Sequence, residues 1–162
     1  MAAGDGNGWV QCRCGNRHWG RHGAAGLLLL EAADPGPRVL LQLRAGWTHE
    51  GGTWSLVGGA RDSHEDEVDA ALRESAEEAG VPAGSIRVIG SLIGADHHDW
   101  SYTYVVACTD QPIEAIVLTA ESDELRWVPV DEVAALPMHR GLGQDWPRLL
   151  PVIARAVRTG RL

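Results

Sequence analysis

The sequence predicts an α/β fold in which helices are layered against one sheet. Short apolar runs separated by Gly, Pro and Asp read as strands, and the segment between Ser63 and Gly80 has a helical period. With 162 residues, 44% of them hydrophobic, the chain has the size and composition of one globular domain with a substantial core. No internal repeat or linker divides it.

The elements follow in order. Met1 to about Gly23 is rich in glycine and polar residues and is expected to be a loose lead-in, leaving 24–162 as the domain. The run from Ala24 to Leu30 reads as a buried strand. Asp34-Pro-Gly-Pro37 is a turn, followed by a second strand over Arg38 to Arg44. A glycine-rich loop around Trp47 and His49 leads to a short strand over Trp54 to Val57, ending at Gly58-Gly59. The helix is expected from Ser63, which has capping-box spacing with Asp66, to Gly80, which ends it ahead of Pro82. Val68, Ala71, Leu72, Ser75 and Ala79 supply its mostly small or apolar stripe. Further strands are expected over Ile86 to Ile93, Tyr102 to Cys108 and Leu125 to Val128. A helical turn capped by Asp131 and a helix from about Trp146 to Arg158, kinked or started at Pro151, complete the chain.

Composition narrows the class of partner. The longest apolar run is too short to span a bilayer, and the N-terminus lacks the apolar stretch of a signal peptide, so a cytoplasmic protein with no membrane partner is expected. A net charge of −8 argues against a nucleic-acid polymer held along a basic surface. It leaves room for a small phosphorylated ligand whose charge is balanced by divalent metal. Three cysteines, an odd number, point to reduced thiols in that compartment.

The chemistry is concentrated in one helix. Glu74, Glu77 and Glu78 stand at i, i+3 and i+4, which places three carboxylates on one face. They repel one another unless hard cations lie between them, and Mg²⁺ prefers carboxylate oxygens, water and substrate phosphates. Gly58 and Gly59 let a backbone turn approach the same place and offer a carbonyl. Arg73, four residues from both Asp69 and Glu77, can brace either. Taken alone, the acidic triplet also fits a solvated helix face.

The longer stretch from Gly59 to Val81 resembles the Nudix box, Gly-x5-Glu-x7-Arg-Glu-U-x-Glu-Glu-x-Gly-U, with U a bulky aliphatic residue. Gly59, Glu65, Arg73, Glu74, Glu77, Glu78, Gly80 and Val81 match, and Ser75 replaces the first U. Val57, Asp62 and His64 depart from a common extended form of the motif. The resemblance implies a Nudix-type α/β/α sandwich with a mixed sheet, in which the box forms loop, helix and loop. It further implies a Mg²⁺-dependent hydrolase, Mn²⁺ being a substitute, that cleaves a phosphoanhydride in a small nucleotide-like substrate. Glu77 and Glu78 correspond to metal ligands, Glu74 to a ligand or the base, the Gly59 carbonyl to a metal contact, and Arg73 to the residue that orients the glutamates. Glu65, expected in the first helical turn, is assigned a structural role. Many members dimerise, so a homodimer stays open.

Outside the box, family members recruit another glutamate from a loop. Glu121 and Glu124 are the candidates, Glu121 favoured, against an ordinary acidic turn. Arg44 ends its strand where similar proteins place a phosphate-binding arginine, with a surface salt bridge as the alternative. Trp47, Trp100, Tyr102 and Tyr104 are candidates for stacking on a base, or for packing. His97 and His98, beside Asp96 and Asp99, read as a solvated loop. Cys12-x-Cys14 with His18 and His22 offers four zinc ligands, although at tighter spacing than familiar zinc modules. Markers for ADP-ribose, dinucleoside polyphosphate and coenzyme A substrates are missing. By elimination the substrate expectation is a nucleoside triphosphate, oxidised nucleotides included, cleaved as MutT-like enzymes do. ADP-ribose or a nucleotide sugar, and a noncatalytic nucleotide sensor, are the alternatives.

Overall fold

A computed structural model describes residues 4–159. The N-terminal segment is not loose within that range: β1 (Trp9–Gln11) and β2 (Arg17–Trp19) pair as an antiparallel hairpin. The main sheet contains β3 (Ala24–Glu31), β4 (Arg38–Arg44), β5 (Trp54–Ser55), β6 (Val57–Ala60), β7 (Ile86–His97), β8 (Trp100–Thr109) and β9 (Ser122–Pro129). Its path runs β5-β4-β3-β8-β7, with β6 added to β3 and β9 to β4. β3 and β8 are parallel and the other pairs antiparallel, so the sheet is mixed as expected.

Two helices cover the two faces. α1 (Glu67–Ala79) packs Ala70, Ala71 and Ala79 against Leu27, Leu29, Leu40, Val57 and Val105. α2 (Arg140–Arg158) packs Leu142, Trp146, Leu149 and Ile153 against Leu28, Leu30, Val39, Leu41 and Val106. The period-two alternation of β3 therefore feeds both cores, and every residue of that strand is buried. This is the α/β/α sandwich. Among the described residues no helix is long and apolar enough to cross a membrane.

Several boundaries differ from expectation for local reasons. α1 is capped by Asp66, not Ser63: Asp66 accepts from the Asp69 N–H at 2.8 Å, and the Asp69 side chain reciprocates at 3.3 Å. Ser63 is engaged elsewhere, donating through N–H and hydroxyl to Asp5. Gly80 closes the helix in the left-handed region, at φ 66°, as the sequence suggests. The final helix begins at Arg140, capped by His139, and continues through Pro147 and Pro151. A helix-interior proline costs ~3 kcal/mol. Burying each large side chain of the stripe Leu142, Trp146, Leu149 and Ile153 returns about 1.5–3 kcal/mol, so burial outweighs the two prolines. The short 3₁₀ turn over Val130–Ala135 follows Pro129 and has no side-chain cap, so Asp131 does not cap it.

Candidate active site

Strand register gathers the site at one end of the sheet. Gly59 of β6 lies opposite Ala25 near the start of β3, and Tyr102 lies beside Ala24. Arg44, the last residue of β4, pairs across a bulge with Ser122, the first of β9. Ala45 N–H donates to the Glu121 carbonyl at 2.9 Å, which fixes the loop bearing that glutamate beside Arg44.

Between β6 and α1 the chain is held by buried polar bonds. Arg73 is the hub: Nε and Nη2 grip both oxygens of Glu65 at 2.5 and 2.9 Å, and Nη2 reaches the Ala60 carbonyl at 3.0 Å. Its Nη1 meets Glu74 at 2.8 Å and Glu77 at 3.5 Å. A bidentate guanidinium–carboxylate pair is directional as well as strong, so Arg73 sets the position of two glutamates at once. Hydrogen bonding to Arg73 pulls the Glu65 carboxyl below its usual range. Glu65 precedes the cap and lies outside the first turn of α1, so it braces the loop through Arg73 and not through the helix dipole. Asp69, the other expected partner of Arg73, is committed to the cap.

The acidic face of α1 is not a solvated ridge. Glu74 and Glu78 are 9% and 6% exposed and face inward, whereas the Glu77 side chain is 35% exposed. Gly59 presses directly on Glu74: a Cβ there would stand 2.6 Å from the Glu74 carboxyl carbon. Burial first, then Glu77 and Glu121, push the Glu74 carboxyl up against the opposing pull of Arg73. Glu78 is pushed up to about 9 by burial, by hydrogen bonding with Glu121, and by the charges of Glu74 and Glu121. The loop glutamate expected from outside the box is therefore in contact with it. Glu124 turns away to Arg126, at 2.7 Å.

One atom tests whether this site suits a cation. Glu78 Oε2 is buried and has no hydrogen-bond partner. Leaving a buried carboxylate oxygen unpaired costs more than an ordinary hydrogen bond returns, and three crowded carboxyls multiply that cost. The donors are all oxygen, which matches the preference of Mg²⁺, so the residues fit a divalent hard cation.

The other expected site residues divide. Arg44 donates from Nε to the His49 carbonyl at 2.9 Å and forms no ion pair among the described residues. Its charge favours the ionised form of Glu78, so it borders the acidic site. Trp47 is 70% exposed and donates to the Ala120 carbonyl at 3.2 Å, beside Glu121. Trp100 does not present a free ring: it stacks on His18 at 4.5 Å and donates to the Trp19 carbonyl. Tyr102 packs edge-on to Tyr104, with its hydroxyl over Gly26. Tyr104 is buried in the core and donates to Asp145. His97 stacks on His18 instead of lying in solvent.

The N-terminal segment is the contribution that sequence reasoning missed. Gly6 N–H donates to Asp62 Oδ1 at 2.8 Å, and Asp5 holds Ser63, so this segment clamps the loop that carries Glu65. Asp62, noted in the sequence only as a departure from the extended motif, is where this clamp attaches.

Comparison with known proteins agrees with this geometry. The NUDIX domain model matches residues 20–148. A Mycobacterium tuberculosis protein named "Putative 8-oxo-dGTP diphosphatase 3" is 49% identical over 90% of this chain and 70% of its own length. A Bifidobacterium longum "Nucleoside triphosphate pyrophosphatase/Nudix hydrolase fusion protein" is 43% identical over 88% of this chain, which covers 30% of that longer protein. The crystal structure of a Nudix hydrolase from M. smegmatis, RenU, superposes with a TM-score of 0.87 at 47% identity, covering 93% of this chain and 96% of that one. With its box, sandwich and acidic cluster in place, the chain belongs to the Nudix family and is a MutT-like hydrolase.

Proposed function

We propose that the protein is a Mg²⁺-dependent pyrophosphohydrolase that converts nucleoside triphosphates, oxidised purine forms included, to monophosphate and pyrophosphate. The reading rests on the buried Glu78 Oε2, which has no hydrogen-bond partner and belongs to a carboxyl crowded by Glu74 and Glu121, a set of oxygens that a divalent cation would satisfy in place of a proton. The name of the M. tuberculosis relative supports the substrate class.

In this mechanism Glu77, Glu78, Glu121 and the Gly59 carbonyl would hold the metal, and Glu74 would either join them or take the proton of the attacking water. Bound metal lowers the pKa of that water and neutralises charge on the phosphoryl oxygens. The protein's share is positional. Arg73 fixes Glu74 and Glu77 so that attack is in line with the leaving oxygen. Arg44 supplies a cation to the phosphate chain, and Trp47 offers a face to the base. Trp100, stacked on His18, and Tyr102, packed edge-on to Tyr104, are left out of the binding surface.

A panel of triphosphates, 8-oxo-dGTP, ADP-ribose and nucleotide sugars, incubated with Mg²⁺ and followed by pyrophosphate and phosphate release, tests this. Pyrophosphate from triphosphates is the expected result. Turnover confined to diphosphate derivatives overturns the substrate class, and binding without any turnover overturns the enzyme and leaves a sensor.

A further inference from the structure

We propose that Cys12, Cys14 and His18 form a zinc site on the N-terminal hairpin, separate from the acidic site. The turn over residues 12–16 is closed by Cys12 N–H to the Asn16 carbonyl and Gly15 N–H to the Cys12 carbonyl, both at 3.0 Å. Gly15, at φ 92°, supplies the left-handed backbone this turn requires. The turn folds Cys14 back onto β2, so that its Sγ lies 3.2 Å from His18 Nε2. One ligand atom from each of the three residues lies within 4.8 Å of the other two.

Those separations are close to what zinc needs. With Zn–S bonds of ~2.3 Å and Zn–N bonds of ~2.0 Å, tetrahedral ligand atoms stand about 3.5–3.8 Å apart, so an inward shift of about 1 Å closes the set. Cys14 N–H already donates to Cys12 Sγ at 3.4 Å, a bond that suits a thiolate. Thiolate and imidazole select zinc over the hard cations preferred by the carboxylate cluster. Coordination releases two thiol protons, and Cys12 gives up its present donation to the His97 carbonyl. Water or the His97 imidazole, whose ring is stacked 4.8 Å from that of His18, completes the fourth position. His22, the fourth ligand suggested by the sequence, lies outside this cluster, with its Nε2 3.7 Å from Asp5.

The consequence is mechanical. Arg13, between the two cysteines, pairs with Asp99 in the β7–β8 turn at 2.9 Å. His18 stacks on Trp100 of β8. A metal here locks the hairpin onto the edge of the main sheet.

The full chain, without a polyhistidine tag, is loaded with Zn²⁺ in excess Mg²⁺, which fills the acidic site, desalted into Mg²⁺ buffer and measured by elemental mass spectrometry. Roughly one zinc per chain is expected, falling to background in Cys14→Ser and His18→Ala. Cobalt loading should give a thiolate charge-transfer band that Cys14→Ser abolishes. In the unaltered protein, zinc should slow alkylation of Cys14 and a chelator should restore it, which guards against variants that misfold. Substoichiometric zinc in the unaltered chain, zinc retained by both variants, or alkylation indifferent to zinc each overturns the site.

Discussion

Replacing Glu78 by Gln should stabilise the metal-free protein while destroying its activity. The folded-state pKa of Glu78 is raised from 4.5 to about 9. For a carboxyl with a raised value, folding is unpenalised below 4.5 and becomes progressively costlier as pH climbs towards 9. At pH 7 the interval above 4.5 is about 2.5 units, an upper bound of about 3.5 kcal/mol at ~1.4 kcal/mol per unit. Gln keeps the shape but still buries one unpartnered atom, which returns ~1 kcal/mol of that gain. A net stabilisation of about 1–2 kcal/mol remains, or roughly 3–6 °C in Tm for a domain of this size. The measurement is thermal melting in a chelator from pH 4 to 8, repeated in saturating Mg²⁺. The gain should vanish near pH 4, and Mg²⁺ should raise the Tm of the wild type alone. A variant that is less stable than wild type at pH 7 without metal, or a gain that ignores pH, refutes the reasoning.

Glu77→Gln should lower kcat at least ~100-fold by removing a ligand, yet move stability by no more than ~0.5 kcal/mol because the side chain is partly exposed; steady-state kinetics and melting check both. Gly59→Ala places a methyl 2.6 Å from the Glu74 carboxyl carbon, so the flexible carboxylate must move; circular dichroism should be unchanged while kcat falls roughly 10- to 100-fold. Glu65→Gln weakens the Arg73 grip and should cost roughly 1–3 kcal/mol at pH 7, discounted because Arg73 is partly exposed. Because the Glu65 pKa is depressed, that stabilisation is complete above the ordinary carboxylate range and is lost as pH falls through the folded value. The melting curves of variant and wild type should therefore converge in acid.

The central strands and α1 were legible because burial on two faces writes a continuous apolar run and a helical period into the chain. β3 shows this most plainly. The acidic triplet was legible as a cluster, but the inward direction of Glu74 and Glu78 was not, since i, i+3, i+4 spacing is the same for a wet face and a buried one. Arg44 and Glu121 came together through strand register and a bulge, which sequence spacing does not encode. For Trp100 the sequence left base stacking and packing open, because an aromatic looks the same whether it awaits a ligand or stacks on His18 as it does here. The start of α2 was hidden by Pro147 and Pro151, whose local preference is overridden by tertiary burial.

The clamp of Gly6 on Asp62 bears on how this chain can be shortened. The family pattern begins at residue 20, so cutting there keeps every box residue and appears harmless. Yet Asp62 would surrender the amide that neutralises one of its oxygens, and Ser63 its anchor on Asp5. The segment leading into Glu65 would then be free to wander, and Arg73 would lose the fixed post from which it aims the glutamates. Full activity would thus depend on an arm that carries no reacting group and that the shortened chain lacks.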